Sequence, residues 1–213
     1  EEARRIHDPL DRFCWDLYAR VTEMYEKDPA KRSLQAGMLK QLQERSRPTG
    51  EFADWLTRRI VHCHLDTMGR IDVRYDLLPW EGHILALRFW ETAFGLLRVS
   101  GAIVRLESGE RAGCWVMALE GERCADLKEA EKIIVRSNGT VTYVGKDIAY
   151  QMWKFGLLPV DFRYATFRDD PGGHRVWTST SGPDTAGHPS FGRATRVYNV
   201  IDVRQSYLQA IVA

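Results

Sequence analysis

The feature that most constrains this chain is the turn Ser137-Asn138-Gly139. Asn-Gly adopts positive φ readily, and here it separates two β-prone runs, Ile133 to Arg136 and Thr140 to Val144. That arrangement predicts a hairpin. After Gly145-Lys146, Asp147 opens a helical pattern through Ala149, Met152 and Phe155 to Gly156. Short β-type runs precede the hairpin at Ala102 to Leu106 and Trp115 to Leu119, and an apolar strand is expected from Val197 to Ile201, with a helix from Arg204 onward. Strand, turn, strand, helix, strand, helix is the order of an α/β protein.

The first third reads differently. Asp8-Pro9 is a helix start, with Asp8 as N-cap and Pro9 in the first turn. Leu10, Phe13, Cys14, Leu17, Val21 and Met24 follow at helical spacing. Leu34, Met38 and Leu42 mark a second helix, and Thr49 is expected to cap a third with Phe52, Trp55, Leu56, Ile60 and Cys63 on its apolar face. Arg58 and Arg59, on the other face, are expected to be solvated, with contact to a nucleic acid as the minority alternative. The loop Tyr75 to Trp80 carries large apolar groups and is expected to be pinned to the core, ahead of one helix from Ile84 to Leu97 closed by Ser100-Gly101. The stretch from about Pro159 to Thr195, rich in Gly, Pro, Ser, Thr and Asp, reads as an inserted loop or β-excursion.

Composition narrows the classes. The 213 residues are 44% hydrophobic and carry seven Trp and eight Tyr, so the chain can bury a core and is not disordered. Thirty Lys and Arg against 29 Asp and Glu leave +1, which argues against binding nucleic acid by net charge, although a local basic face stays open. No apolar run approaches the ~20 residues of a membrane span, and no membrane partner is expected. There is no signal peptide and no initiator Met, and Glu1-Glu2-Ala3-Arg4-Arg5 looks like the start of a piece of something longer. Cys14, Cys63, Cys114 and Cys124 are scattered, with no CxxC, so reduced thiols in the cytoplasm are expected. In His62-Cys63-His64 adjacent helical side chains diverge, and no metal site is expected.

Candidate chemistry sits where strands give way to helices, since ligands of α/β sheets bind beyond the carboxyl ends of strands. One such end presents Tyr143 and Asp147, the other Asp202, Arg204 and Gln205. A carboxylate, a phenol and an amide suit a cationic, hydrogen-bond-rich ligand. The plainer alternatives are an N-cap for Asp147, half-buried packing for Tyr143 and a first-turn polar residue for Gln205. There is no GxxxxGK[ST], GxGxxG, GxSxG or HExxH motif.

The block Ile134-Val135-Arg136-Ser137-Asn138-Gly139-Thr140-Val141-Thr142-Tyr143-Val144-Gly145-Lys146-Asp147-Ile148-Ala149-Tyr150 resembles the "vRSdGtxtYxxxDiaY" block of arginyl-tRNA synthetases, and Val197 to Gln205 resembles their "vyvvdxrQ" block. Tyr75 to Gly101 is similar in order to the family's region before a "gGA" strand; the helical first third matches weakly. The resemblance implies an α/β fold, the second half of a class I synthetase Rossmann-type catalytic domain with an inserted, mainly helical N-terminal region. Residues 1–100 would form the helical region, and 101–213 the Rossmann-type portion carrying the insertion at about 159–195. It implies that Tyr143, Asp147 and Gln205 hold L-arginine, that none of these residues is catalytic, and that the full-length enzyme uses ATP with Mg2+ to arginylate tRNA(Arg), as a cytoplasmic monomer.

A planar guanidinium pairs bidentately with a carboxylate, and lysine's point ammonium cannot satisfy the same acceptors. The sequence also departs from the family pattern. Neither a HIGH nor a KMSKS-type motif is present, His83-Ile84-Leu85-Ala86 lacking the second His, and Tyr207 stands where many members carry His. The isolated chain is therefore expected to be inactive in aminoacylation. The alternatives are a standalone synthetase-derived module that binds arginine or a partner without ATP chemistry, and an unrelated α/β interaction domain.

Overall fold

The computed structural model describes residues 9–43, 46–118 and 131–212. The chain divides into two compact units, Glu1–Tyr75 and Asp76–Ala213.

The first unit contains α1 (Leu10–Lys27), a 3₁₀ turn at Pro29–Lys31, α2 (Arg32–Gln43) and α3 (Thr49–Gly69). Both α1 and α2 lie against α3. The stripe expected on α1 is present but only partly covered: Leu10, Cys14, Val21 and Met24 are half-buried, whereas Phe13 and Leu17 are exposed. Asp8, the expected cap of α1, lies outside the described residues, and Pro9 occupies the cap position. Thr49 does not cap α3. It is the first helical residue, Pro48 takes the cap position, and the Thr49 hydroxyl donates to Gln41 Oε1 at 2.7 Å, tying α3 to α2.

The second unit contains β1 (Leu77–Leu78), α4 (Glu81–Ala86), α5 (Phe89–Val99), β2 (Val104–Arg105), β3 (Trp115–Ala118) and β4 (Glu131–Val135). It continues with α6 (Tyr143–Lys154), β5 (Arg163–Asp169), β6 (Arg175–Thr180), a 3₁₀ turn at Val203–Gln205 and α7 (Ser206–Val212). Among the described residues the strands form two small sheets. In one, β6 pairs parallel with β1 and antiparallel with β5; in the other, β3 pairs antiparallel with both β2 and β4. The protein is thus a mixed α/β structure.

The loop before α4 is pinned, as its apolar content predicts. Leu77 and Leu78 pair with Trp177 and Thr178. The Trp80 indole donates to Thr178 Oγ1 at 2.9 Å, and the Trp80 amide to Ser179 Oγ at 2.8 Å. The single helix expected from Ile84 to Leu97 is two, because the backbone turns through Arg88 at φ 64° and delivers Phe89 and Trp90 to the core.

The Asn-Gly turn forms: Gly139 takes φ 84°, its N–H donates to the Arg136 carbonyl at 2.9 Å, and Arg136 N–H donates to the Thr140 carbonyl at 2.9 Å. The returning strand does not form. Pairing ends at a single bridge between Val135 and Val141, and Thr142 becomes the N-cap of α6, accepting from Gly145 N–H. Tyr143 therefore sits in the first turn of a helix and not on a strand, and Asp147 is one turn inside that helix and not its cap. A side-chain oxygen that satisfies a free amide of a first turn starts a helix wherever it falls.

Gly145 allows α6 to approach β4. A Cβ there would stand 2.9 Å from Val141 Cγ1 and 3.0 Å from the Trp90 ring. The inward face of α6 then buries Val144, Ile148, Ala149 and Trp153 among Phe89, Trp90, Ile134 and Phe162.

The stretch 159–195 supplies β5 and β6 and is built into the core: Phe162, Tyr164, Val176 and Trp177 are buried. Asp161 fastens it to α6, accepting from Trp153 Nε1 at 2.8 Å and from the Tyr164 hydroxyl at 2.6 Å. Val197–Ile201 is not a strand. Among the described residues it has no ladder partner, and Val200 is 99% exposed. Apolar content suits a strand only where a neighbouring strand offers its amides and carbonyls.

Candidate functional site

The outward face of α6 forms one wall of a cleft of about 410 Å³. Asp147, Tyr150, Gln151 and Lys154 fall at positions i, i+3, i+4 and i+7, which is one stripe of a helix. The opposite wall is the extended segment Tyr198, Asn199, Val200 and Ile201, and Gln205, Gln209 and Val212 close the end. Asp147 and Gln205, 58 positions apart in sequence, thus line one cavity.

Tyr143 lies one turn before Asp147 on α6, is 49% exposed and does not line the cavity. Asp202 and Arg204, considered with Gln205 from sequence, satisfy each other instead. Asp202 caps the 3₁₀ turn and pairs with the Arg204 guanidinium at 2.9 Å, which holds the Asp202 carboxyl below its usual range.

Six polar lining residues are absent from the sequence-based set: Tyr150, Gln151, Lys154, Tyr198, Asn199 and Gln209. The first three could have been found by continuing the helical stripe from Asp147. Asn199 could not, because only the path of the extended segment brings it to Lys154. The Lys154 ammonium lies 3.3 Å from both Gln151 Oε1 and Asn199 Oδ1 and 4.5 Å from the centre of the Tyr150 ring. Asn199 in turn donates through Nδ2 to Gln209 Oε1 of α7.

Electrostatically the cleft has two poles. Burial, with help from the Glu81 carboxylate, raises the Asp147 carboxyl above its ordinary range, while Lys154 and Lys146 pull it back. Burial lowers the Lys154 ammonium, and Asp147 opposes that shift. Burial also pushes the Tyr150 hydroxyl up to about 12, so it stays protonated at neutral pH as a hydrogen-bond donor. A half-buried carboxylate facing an open cavity binds a cationic group that brings its own hydrogen bonds.

Among the described residues no group of three or more His, Cys, Asp or Glu could hold a metal ion, and no helix is long and apolar enough to cross a membrane. Cys14, Cys63 and Cys114 are free thiols.

No family model matches the sequence. Individual proteins do. The arginine–tRNA ligase of Deinococcus radiodurans is 36% identical over 185 residues, covering 87% of this chain and 30% of that protein. The arginine–tRNA ligase of Thermococcus sibiricus is 31% identical over 214 residues, covering 100% of this chain and 33% of that protein. Among solved structures, the arginyl-tRNA synthetase of Thermus thermophilus superposes with a TM-score of 0.70 at 32% identity, over 91% of this chain and 31% of the other. The chain spans about a third of the length of the curated relatives it matches.

Likeness in sequence and in fold, over nearly the whole chain, is thus to one class of protein, the aminoacyl-tRNA synthetases. The chain belongs to the arginyl-tRNA synthetase family, and the resemblance seen at Ile134 to Tyr150 and at Val197 to Gln205 is part of a match that extends through the helical first third.

Proposed function

We propose that this chain supplies part of the L-arginine pocket of an arginine–tRNA ligase, the parent protein activating arginine with ATP and Mg2+ and transferring it to tRNA(Arg). The supporting observation is that Asp147 and Gln205, distant in sequence, share one cleft. In this reading the Asp147 carboxylate pairs with the guanidinium, the Gln205 amide adds a neutral contact, and the Tyr143 phenol closes over the ligand from the preceding turn. The chain has no residue in the role of nucleophile or general base. Its part is to bind and orient arginine, and ATP supplies the activation. The chain falls in the second half of a Rossmann-type catalytic domain, with residues 1–100 as the helical region before it, and the parent acts in the cytoplasm as a monomer. The 213-residue chain alone does not aminoacylate tRNA.

Calorimetric titration with L-arginine tests the pocket. A charge-assisted hydrogen bond contributes about 1.5–3 kcal/mol, so Asp147→Asn should weaken arginine binding by roughly 10- to 100-fold. Unchanged affinity in that variant, or no binding of arginine by the native chain, overturns the reading.

A further inference from the structure

The helical unit holds its helices together with little buried surface. Helix α1 buries none of its residues and α3 only Gly50 and Leu65, while Phe13, Leu17, Phe52 and Trp55 stand exposed. A junction with so few buried apolar contacts opens at low free energy, so a covalent link across it matters more than one in a packed core. Two thiols lie at this junction. Cys14 belongs to the half-buried stripe of α1, and Cys63, also half-buried, lies near the end of α3.

Their placement pairs them. The start of α1 runs beside the end of α3: Pro9, Asp11 and Trp15 line a cavity of about 540 Å³ together with Cys63, Asp66 and Arg70. Cys14, next to Trp15, and Cys63 therefore stand at one level of the contact between the two helices. Helices packed at about 8–10 Å between axes, with Cα atoms at a radius of about 2.3 Å, bring facing Cα atoms to within roughly 5.5 Å. A disulfide spans Cα separations of about 4.4–6.8 Å. Burial and the Asp11 carboxylate raise the Cys14 thiol above its ordinary value, and the charge of a Cys63 thiolate raises it further.

We infer that Cys14 and Cys63 form a reversible thiol–disulfide clamp that ties α1 to α3 when a hydroperoxide is present. Cys63, which lines the open cavity, reacts first. Its thiolate attacks one peroxide oxygen, the O–O bond breaks, and the other oxygen leaves as water with the proton the thiol gave up; Cys63 becomes a sulfenic acid. The Cys14 sulfur then attacks the sulfenic sulfur, the S–O bond breaks, and the hydroxyl leaves with the Cys14 proton as a second water. The two thiols lose two electrons in all, and the peroxide is reduced to two waters. A dithiol reverses the link. Cys14 and Cys63 are 49 positions apart, so the bond closes a long loop and restricts the unfolded helical unit. The clamp uses no residue of the arginine cleft.

The probe is hydrogen peroxide, added to the native 213-residue chain, to Cys14→Ser and to Cys63→Ser, with products read by mass spectrometry after proteolysis. The native chain should lose two hydrogens, join the peptides carrying Cys14 and Cys63, and regain its starting mass with dithiothreitol. The link should form several-fold faster in the folded chain than in urea, where the thiols meet only by chain diffusion. It should raise the melting temperature of the native chain by several degrees, a rise that neither variant shows. Cys14→Ser should stop at a Cys63 sulfenic acid that dimedone traps, and Cys63→Ser should leave Cys14 a thiol. Oxidation of Cys63 in the native chain without a link overturns the clamp. So does a link to Cys114 or Cys124, or a link that forms as fast in urea as in the folded chain.

Discussion

The two walls of the cleft are made in opposite ways. Helix α6 carries the cleft on one face and the core on the other, and its core face is closely packed: Gly145 fits against Val141 and Trp90, and Trp153 stacks on Tyr150 with centroids 5.5 Å apart and donates to Asp161. The facing segment, Tyr198 to Ile201, has no core face. Tyr198 is 77% exposed and Val200 99%, and the segment is held by a backbone bond from Ala194 to the Lys154 carbonyl at 2.7 Å and by the contacts of Asn199. One wall is positioned by packing, the other by a few hydrogen bonds. Stability should therefore reside on the first, and adaptability to ligand on the second.

Truncation should expose that contrast most sharply. Trp153→Ala removes a buried aromatic and the partner of Asp161, and should cost about 3–5 kcal/mol, read as a lower urea midpoint together with lost arginine binding. A native-like midpoint would show that α6 is not the anchored wall. Next comes Gly145→Val. In an exposed helix that change would cost little, but here the added Cβ meets Val141 and Trp90, and about 1–3 kcal/mol of overpacking is expected in the same denaturation series.

On the facing wall the balance reverses. Asn199→Ala should change stability by less than about 1 kcal/mol yet weaken arginine binding several-fold by loosening the extended wall of the cleft, a split visible by comparing calorimetry with thermal melts. Val200→Ser, at a side chain open to solvent, should stay within about 0.5 kcal/mol of the native chain in stability.

Two pH effects separate the site from its scaffold. With Asp147 raised by burial, arginine binding should fade as pH drops through a value above the ordinary 3.8, and Asp147→Asn should abolish that dependence. The second lies in the 184–189 turn, where His188 faces two acceptors, the Pro189 carbonyl at 2.8 Å and Asp184 Oδ2 at 3.2 Å, and so satisfies both only as imidazolium. Its pKa is raised, first by the Pro189 carbonyl and then by Asp184, with Asp161 adding to the effect; the Tyr164 and Trp177 rings pack beside it. A raised imidazole stabilises the fold fully below its unfolded value near 6.5 and loses that contribution as pH rises through the folded value. Asp184 is lowered, first by the Tyr164 amide, so its contribution is lost on the acid side as pH falls through its folded value. Melting temperature should thus decline from mildly acidic to alkaline pH in the native chain, and His188→Gln should flatten that decline without changing arginine affinity.

Much of α6 is legible in the amino-acid sequence. Residue spacing marks the helix, and Asp147 with Gln205 stand out as a pair. The start of the helix is not legible, because Thr140 to Val144 is as β-prone as the strand before the turn, and nothing local says that Thr142 will cap a helix instead of continuing a ladder. Val197 to Ile201 fails as a strand for a related reason: apolar content is a property of the segment, but a strand is a property of a pair. Lys154 carries no signal of its own, since a lysine at the end of an amphipathic helix is ordinarily solvated, and only the return of the chain at Asn199 encloses it.

The sequence by itself determined where most of the helices lie, which face of α6 is apolar, and that Asn138-Gly139 turns the chain, since these depend on spacing and local backbone preference. Tertiary structure decided which elements became strands, that the 159–195 stretch belongs to the core, and that Asp147, Lys154, Asn199 and Gln205 share a cavity. Those outcomes depend on which distant segment reaches which, and burial and hydrogen-bond partners exist only once the chain has folded back on itself.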